Sequence, residues 1–330
     1  MAKKSRKIKA LGLFSGGLDS MLAAAVLRAQ ALDVALITFV TPFFGAERAK
    51  ESAAHLGLPL KVADLTEKFL PLIYAPPHGF GRGHNPCLDC HILMLREAGA
   101  LMATEGFDFL FTGEVLGQRP MSQHRGALNL VAKESGFPEL VLRPLSARLL
   151  KPTRPELEGW LDREKLYDLS GRGRKRQLAL AREYGLSRFP SPAGGCLLTD
   201  PGYAARLKEL LSHQSPASRR DLDLLKWGRH FRLAGGVKAV VGRTKRENEA
   251  LLTLKGPGDL LLKVQDFPGP LVWLPQDIKE EDLQEAMALT AAYSDAPTGT
   301  AVTVVAQDEP AALTLSLTTP PKEDFRDRMI

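Results

Sequence analysis

The chain has 330 residues, room for two domains at ~100–200 residues each, and its 44% hydrophobic and 25% charged residues are ordinary globular values. That excludes a disordered tail, and no apolar run is long enough to suggest a membrane segment. The net charge is +6, and residues 141–190 hold twelve Lys or Arg against six Asp or Glu, which is the whole excess; such a local positive surface attracts polyanions, nucleic acid first.

Taken in chain order, an apolar strand begins at Ile8 and runs into a Gly-rich turn, and a helix rich in Ala and Leu follows over Ser20–Ala29. A strand at Val34–Val40, a helix from Ala46 to Leu56, a strand at Leu60–Ala63, a helix starting near Cys90 and a strand at Phe107–Thr112 continue the alternation. Strands alternating with helices imply parallel pairing and a doubly wound α/β sheet, with its ligand at the carboxyl ends of the strands. Residues 150–188 read as helical and basic, and Pro190–Pro192 with Gly194–Gly195 breaks the chain before Cys196. Beyond a boundary at Leu211–Ser218 the texture is α+β. It has short strands at His230–Leu233, Val237–Val241, Leu260–Val264, Leu271–Leu274, Ala301–Val305 and Leu313–Leu317, and a helix at Glu280–Tyr293. The expected domains are 1–215, including the basic segment 150–190 and the Cys196 loop 190–200, and 219–330.

Ser15-Gly16-Gly17-Leu18-Asp19-Ser20 lies between a strand and a helix. Two glycines let backbone amides approach a phosphate, two serines add hydroxyl donors, and the helix offers its positive dipole end to the anion. Asp19 cannot face phosphate directly, so its natural task is to hold Mg2+ on the pyrophosphate oxygens. No Gly-Lys-Ser/Thr follows, so this is not a Walker A loop. A tight turn with a helix cap is the plain alternative.

The loop resembles the signature of the PP-loop ATP pyrophosphatases, which cleave ATP to AMP and pyrophosphate while adenylating a substrate. Thr112-Gly113-Glu114-Val115-Leu116-Gly117-Gln118, with Ser122-Gln123 beyond and Leu142-Arg143-Pro144-Leu145 later, is similar to segments of the tRNA 4-thiouridine synthetases. That resemblance implies nucleotide contacts from Gly113 and Gln123, from Leu13 and Phe14 before the loop, and from Thr38 and Phe39 at the end of the second strand. It covers about the first half of the chain.

Only three cysteines are present, an odd and sparse set that argues against a disulfide framework and for cytosolic thiol or metal chemistry. The basic start (Lys3, Lys4, Arg6, Lys7, Lys9) leads into no apolar targeting segment, so the expected location is cytoplasmic, with no membrane partner. Cys87-Leu88-Asp89-Cys90 at a helix start aims two thiols at one point, and Cys196 supplies a third. Three thiols leave a fourth ligand position open, as a catalytic metal or cluster requires. The pattern resembles the tRNA-thiolating PP-loop enzymes that carry a [4Fe-4S] cluster on Cys-x-x-Cys plus a distant cysteine. Two alternatives stay open: the cluster-free tRNA 2-thiouridylases, in which a persulfide on Cys90 would be resolved by Cys196, and a structural zinc completed by His84 or His91. Asp89 reads most simply as a helix cap.

Arg172, Arg174, Lys175 and Arg176 are dense enough to pair with RNA phosphates beside the thiols; a solvated helix start is the alternative. In the second half, Trp227-Gly228-Arg229-His230-Phe231-Arg232-Leu233, Val241-Gly242-Arg243, Glu247-Asn248, Phe267-Pro268-Gly269-Pro270 and Ala291-Ala292-Tyr293-Ser294 resemble the RNA-binding domain of NFACT proteins over Leu224–Gln307. The match departs at Leu261 and Lys263, where that domain usually has a tryptophan and a histidine.

Together these features predict an ATP-dependent tRNA sulfurtransferase that adenylates a uracil or cytosine carbonyl and replaces its oxygen with sulfur. The expected cofactors are ATP, Mg2+ and a [4Fe-4S] cluster. The expected partners are tRNA or another structured RNA and a sulfur donor, either sulfide or a cysteine desulfurase, with room for a homodimer. The alternatives are an iron–sulfur desulfidase of thiolated bases, which would need no ATP, and a non-catalytic RNA-binding adaptor.

Overall fold

The fold is that of a computed structural model, which describes residues 6–81, 83–191, 195–306 and 313–330. Lys3 and Lys4, Pro192 and Gly194 of the Cys196 loop, and Gln307 lie outside them. The chain divides into two compact units after Asp200.

The first unit contains β1 (Lys9–Leu13), α1 (Leu18–Ala29), β2 (Asp33–Val40), α2 (Glu47–Leu56), β3 (Leu60–Asp64), the one-turn α3 (Thr66–Phe69), α4 (Cys87–Glu105), β4 (Phe109–Thr112), α5 (Arg125–Glu134), the short β5 (Val141–Leu142), the one-turn α6 (Arg154–Leu157) and α7 (Lys175–Glu183). Its five strands are all parallel in the order β3-β2-β1-β4-β5. Alternation along β1 shows why helices cover both faces. Ala10 packs with α1, α2 and α7 in one apolar cluster, while its neighbour Leu11 packs with α4 and α5 in another. α1 is buried at every position from Met21 to Leu27, because it lies wholly inside the first cluster. The strand order reverses at β1 and β4, so the crevice above their carboxyl ends is the switch point of a doubly wound sheet.

Residues 150–188 are less helical than their composition predicts. Only α6, a single 3-10 turn at Arg163–Lys165 and the nine-residue α7 form. Pro152, Pro155, Gly159, Gly171 and Gly173 interrupt the periodic pattern, and Arg163 ties the irregular stretch down by donating to the carbonyls of Ala147 and Leu150.

The second unit begins earlier than the expected boundary. It comprises α8 (Pro201–His213), α9 (Arg219–Leu224), β6 (Arg229–Arg232), β7 (Lys238–Val241), α10 (Lys245–Leu254), β8 (Leu260–Val264), β9 (Val272–Leu274), α11 (Glu280–Ala292), β10 (Ala301–Ala306) and β11 (Thr314–Thr318). α8 belongs here and not to 1–215 because its side chains bind this unit. The Tyr203 hydroxyl donates to Leu222 O at 3.0 Å, Arg206 Nε donates to Leu225 O at 2.9 Å, and Glu209 pairs with Arg232 and Lys238. The six strands are antiparallel in the order β11-β10-β8-β9-β7-β6. α11 covers one face over Phe231, Val241 and Val264, and α9 and α10 cover the other over Val240, Leu261 and Trp273. No helix among the described residues is long and apolar enough to cross a membrane.

Candidate functional site

The loop Ser15–Ser20 leaves β1 at the switch point and enters α1 with Gly17 as the residue before the helix. Gly16 is required twice over. Its φ is +74°, and a Cβ there would stand 2.5 Å from the Arg48 carbonyl oxygen, which is backbone and cannot yield. Ser52 Oγ donates to Gly16 O at 2.8 Å, pinning the loop to α2. Ser20 Oγ donates to Gly17 O at 2.8 Å and Ser15 is exposed. Gly113, at the end of β4, presses on the same turn: a Cβ there would lie 2.5 Å from the Ser20 backbone.

Asp19 is held from one side. Gln118 Nε2 donates to its Oδ2 at 2.9 Å, while Oδ1 is buried with no hydrogen-bond partner among the described residues. Burial raises the Asp19 carboxyl above its ordinary value, against the Gln118 hydrogen bond and the positive charges of Arg174 and Arg119. An unmet buried carboxylate oxygen beside a phosphate-type loop fits a hard cation such as Mg2+.

The other expected nucleotide residues divide. Leu13 is half-buried, and Thr38 and Gln123 are buried, with Gln123 Oε1 also unpartnered. Phe14 and Phe39 are core side chains at 1% and 4% exposure, packed in opposite faces of the sheet. Only their backbone is open to a nucleotide, and Phe14 N already donates to Ile37 O.

The thiols gather at the same strand ends. Cys87 and Cys90 lie in the first turn of α4, and Leu197 N donates to Phe43 O, which brings Cys196 to the loop after β2. Burial would raise the Cys87 thiol, but the side chains of His91 and Ser122 and the charge of Arg119 outweigh it and leave Cys87 below the ordinary thiol range. Cys90 is pushed well above that range by burial and then by Cys196, Cys87 and Asp89. Burial pushes Cys196 up to about 11, against the backbone N–H of Leu198. The three thiols therefore feel one another, though among the described residues no three His, Cys, Asp or Glu side chains form a group that could hold a metal ion. Of the two histidines considered for zinc, His84 Nε2 lies 2.7 Å from Ile73 O and His91 Nδ1 lies 3.1 Å from Glu114 Oε1.

Behind Cys87 stands a network that the local motifs do not disclose. Glu114 is buried and takes Arg143 Nε at 2.9 Å, Thr112 Oγ1 at 3.0 Å and the His91 ring. Burial would raise Glu114, yet Arg143 and His91 hold it well below the carboxylate range. Burial works to lower His91, but its contacts with Cys87 and Glu114 raise it to about 10. Asp89 is no helix cap. It is buried and reaches back to His78, accepting from the backbone N–H at 3.1 Å and meeting Nδ1 at 2.7 Å, so it fastens the segment before α4.

The basic stretch is tied to this rim, because Gly171 N donates to Leu116 O at 2.7 Å. Arg174 lies close enough to act on Asp19. Arg176 is engaged by Asp168 at 2.5 Å, so it is a weaker candidate for RNA than Arg172, Arg174 or Lys175.

In the second unit, the residues that suggested RNA binding are in part structural. Asp259 Oδ2 accepts from Arg220, Gly256 N and Trp273 Nε1, and Glu247 closes on Arg243. Leu261, where NFACT domains have a tryptophan, is buried against Trp273, and Lys263 is exposed.

A parallel doubly wound sheet leads through Ser-Gly-Gly-Leu-Asp-Ser into a buried helix at its switch point, the arrangement that the resemblance to PP-loop proteins implies. Residues 228–327 match the NFACT protein RNA-binding domain, and residues 8–76 match a family of unknown function, DUF7411. The chain is 37% identical over 131 residues to the tRNA-specific 2-thiouridylase MnmA of Syntrophotalea carbinolica, covering 34% of this chain and 36% of that one. It is 24% identical over 295 residues to that of Methylobacterium nodulans, covering 79% and 74%. Thus it spans about a third of the first relative and three quarters of the second. Among solved structures, a predicted subunit of tRNA methyltransferase from Methanocaldococcus jannaschii is 21% identical at a TM-score of 0.34, covering 53% of this chain and 76% of that one; a likeness of that size carries no argument. The chain is thus similar to tRNA 2-thiouridylases, and its second unit matches the NFACT protein RNA-binding domain.

Proposed function

We propose that this chain is an ATP-dependent RNA sulfurtransferase, acting on tRNA, that adenylates a pyrimidine carbonyl and replaces its oxygen with sulfur. The observation that carries the reading is the meeting of the Asp19 loop and three thiols at the carboxyl ends of one sheet. In this reading the loop amides and the Ser15 and Ser20 hydroxyls hold the nucleotide phosphates, and Gln118 fixes the Asp19 carboxylate, which would hold Mg2+. The bound cation would offset charge developing on the phosphates. Arg172, Arg174 and Lys175, together with the NFACT-like unit, would hold the RNA backbone. Adenylation turns the carbonyl oxygen into part of AMP, and the sulfur attacks that carbon as AMP departs; sulfide transfers directly, whereas the outer sulfur of a cysteine persulfide is released when a second cysteine attacks the S–S bond, leaving a disulfide that an external thiol reduces.

The form in which sulfur is held has two candidates. A [4Fe-4S] cluster on Cys87, Cys90 and Cys196 would supply an open iron for sulfide; the three soft donors suit it, but the described side chains form no metal-binding group, so no step is routed through it. The persulfide alternative is favoured by the direction of the two thiols, Cys87 held below the ordinary range chiefly by His91 and Cys90 pushed well above it by burial, which makes Cys87 the readier thiolate.

Asp19→Ala should abolish RNA-dependent release of AMP and pyrophosphate by the full chain. Undiminished release from that variant would remove the loop from the mechanism. A desulfidase would work without ATP, so pyrophosphate release also separates the two enzyme readings. Comparing modified nucleosides from cells with and without the gene by mass spectrometry would name the base.

A further inference from the structure

Residues 115–123 fold back on themselves: Gln118 N donates to Val115 O, Gly117 N to Gln123 O at 2.7 Å and Gln123 N to Arg119 O at 2.8 Å. The turn carries two side chains to two different places. Gln118 reaches Asp19 in the nucleotide loop, and Ser122, buried on the same turn, helps to hold the Cys87 thiol below its ordinary range. Arg119 lies between them in the chain. Its side chain is exposed and makes no salt bridge among the described residues. Its positive charge is felt at Asp19 on one side and at Cys87 and Cys196 on the other. A guanidinium stays charged at any working pH and presents a planar fork of donors that matches phosphate. A free Arg between a phosphate-type loop and a thiol cluster stands where a phosphate joining the two reactions would pass.

The phosphate common to both halves of the chemistry is the α-phosphate. It forms the bond to the base when pyrophosphate leaves, and it departs as AMP when sulfur attacks. We propose that Arg119 binds the α-phosphate of the nucleotide at the rim between the Asp19 loop and the thiols, whereas the loop itself and Asp19 serve the β- and γ-phosphates. This rests on the ATP-using reading above and goes beyond it in naming the residue and the phosphate.

The test measures binding of ATP, AMP and adenosine to the full chain by isothermal titration calorimetry, for wild type, Arg119→Ala and Arg119→Lys. Arg125→Ala, an exposed arginine at the start of α5, is the control. Arg119→Ala should weaken AMP about tenfold or more, the scale of a lost charge-assisted hydrogen bond. Adenosine should be unaffected, Arg119→Lys should recover part of the AMP affinity, and Arg125→Ala should match wild type. Unchanged AMP affinity in Arg119→Ala would overturn the assignment while leaving the ATP-using reading intact. An equal loss for adenosine would overturn it too, by showing collapse of the turn and not loss of a phosphate contact. A wild type that binds neither ATP nor AMP would refute the ATP-using reading, and the assignment with it.

Discussion

Replacing Arg143 by Met tests the buried charge network at the base of the site. Arg143 and Glu114 are 6% and 8% exposed, and Arg143 also donates to Leu128 O at 3.1 Å. Met keeps most of the volume and removes every donor, so Glu114 is left as a buried carboxylate with only Thr112 and His91, and the Leu128 carbonyl loses a partner. Breaking one side of a buried ion pair costs ~3–5 kcal/mol; because two partners of Glu114 remain, about 3 kcal/mol is expected. For a unit of this size, at ~2–4 °C per kcal/mol, that is a fall of roughly 6–12 °C in the melting temperature. Thermal and urea unfolding of the full chain, followed by circular dichroism, measures it. Adding Glu114→Gln should restore part of the loss, since the stranded charge is then gone. The pH dependence has a definite sign. The folded Glu114 carboxyl is depressed, so its stabilisation is present above the unfolded value of ~4.3 and fades as pH falls below it. The gap between wild type and Arg143→Met should therefore shrink below about pH 4. A melting shift under ~2 °C, or a double variant no more stable than Arg143→Met, would refute the reasoning.

Three further perturbations follow from the geometry. Gly16→Ala places a Cβ against the Arg48 carbonyl at a φ of +74°, so it should cost ~1–3 kcal/mol in urea unfolding and weaken ATP binding; an unchanged midpoint would count against the turn as described. His230 is held well below the ordinary histidine range by burial and by Lys238 and Arg206, so it folds neutral. Its contribution is intact above ~6.5 and is lost as pH falls, and a His230→Gln chain should lose less stability between about pH 6.5 and 5 than wild type. Tyr203→Phe removes the hydroxyl donated to Leu222 O and should cost ~1 kcal/mol, a loss visible as a lower urea midpoint.

How much of this was legible in the sequence depends on the range of the interaction. β1, α1, β2 and β3 come within one or two residues of their expected limits, because each is a strong apolar period closed by a turn. α5 and α10 carry weaker, polar patterns and announce themselves only through caps at His124 and Thr244. The assignment of α8 to the second unit depends on Tyr203, Arg206 and Glu209 meeting residues some twenty positions downstream, which no local period encodes.

The site divides in the same way. Ser15–Ser20, Gly113 and the cysteines each bear a local motif, and a doubly wound sheet brings strand ends together whatever lies between them, so their meeting follows from the fold alone. Glu114 with Arg143 and His91, and Asp89 with His78, are pairs 11 to 29 positions apart; their side chains are ordinary polar residues until the chain closes. Arg119 is the sharpest case. An arginine two residues after a Gly in an exposed loop is indistinguishable in sequence from any solvated cation. Only the turn that sends Gln118 to Asp19, with the Arg119 charge acting on Asp19 and on Cys87, gives it a place between two chemistries, so residue motifs identify the components of this site, and the connection between them has to be read from the folded loop.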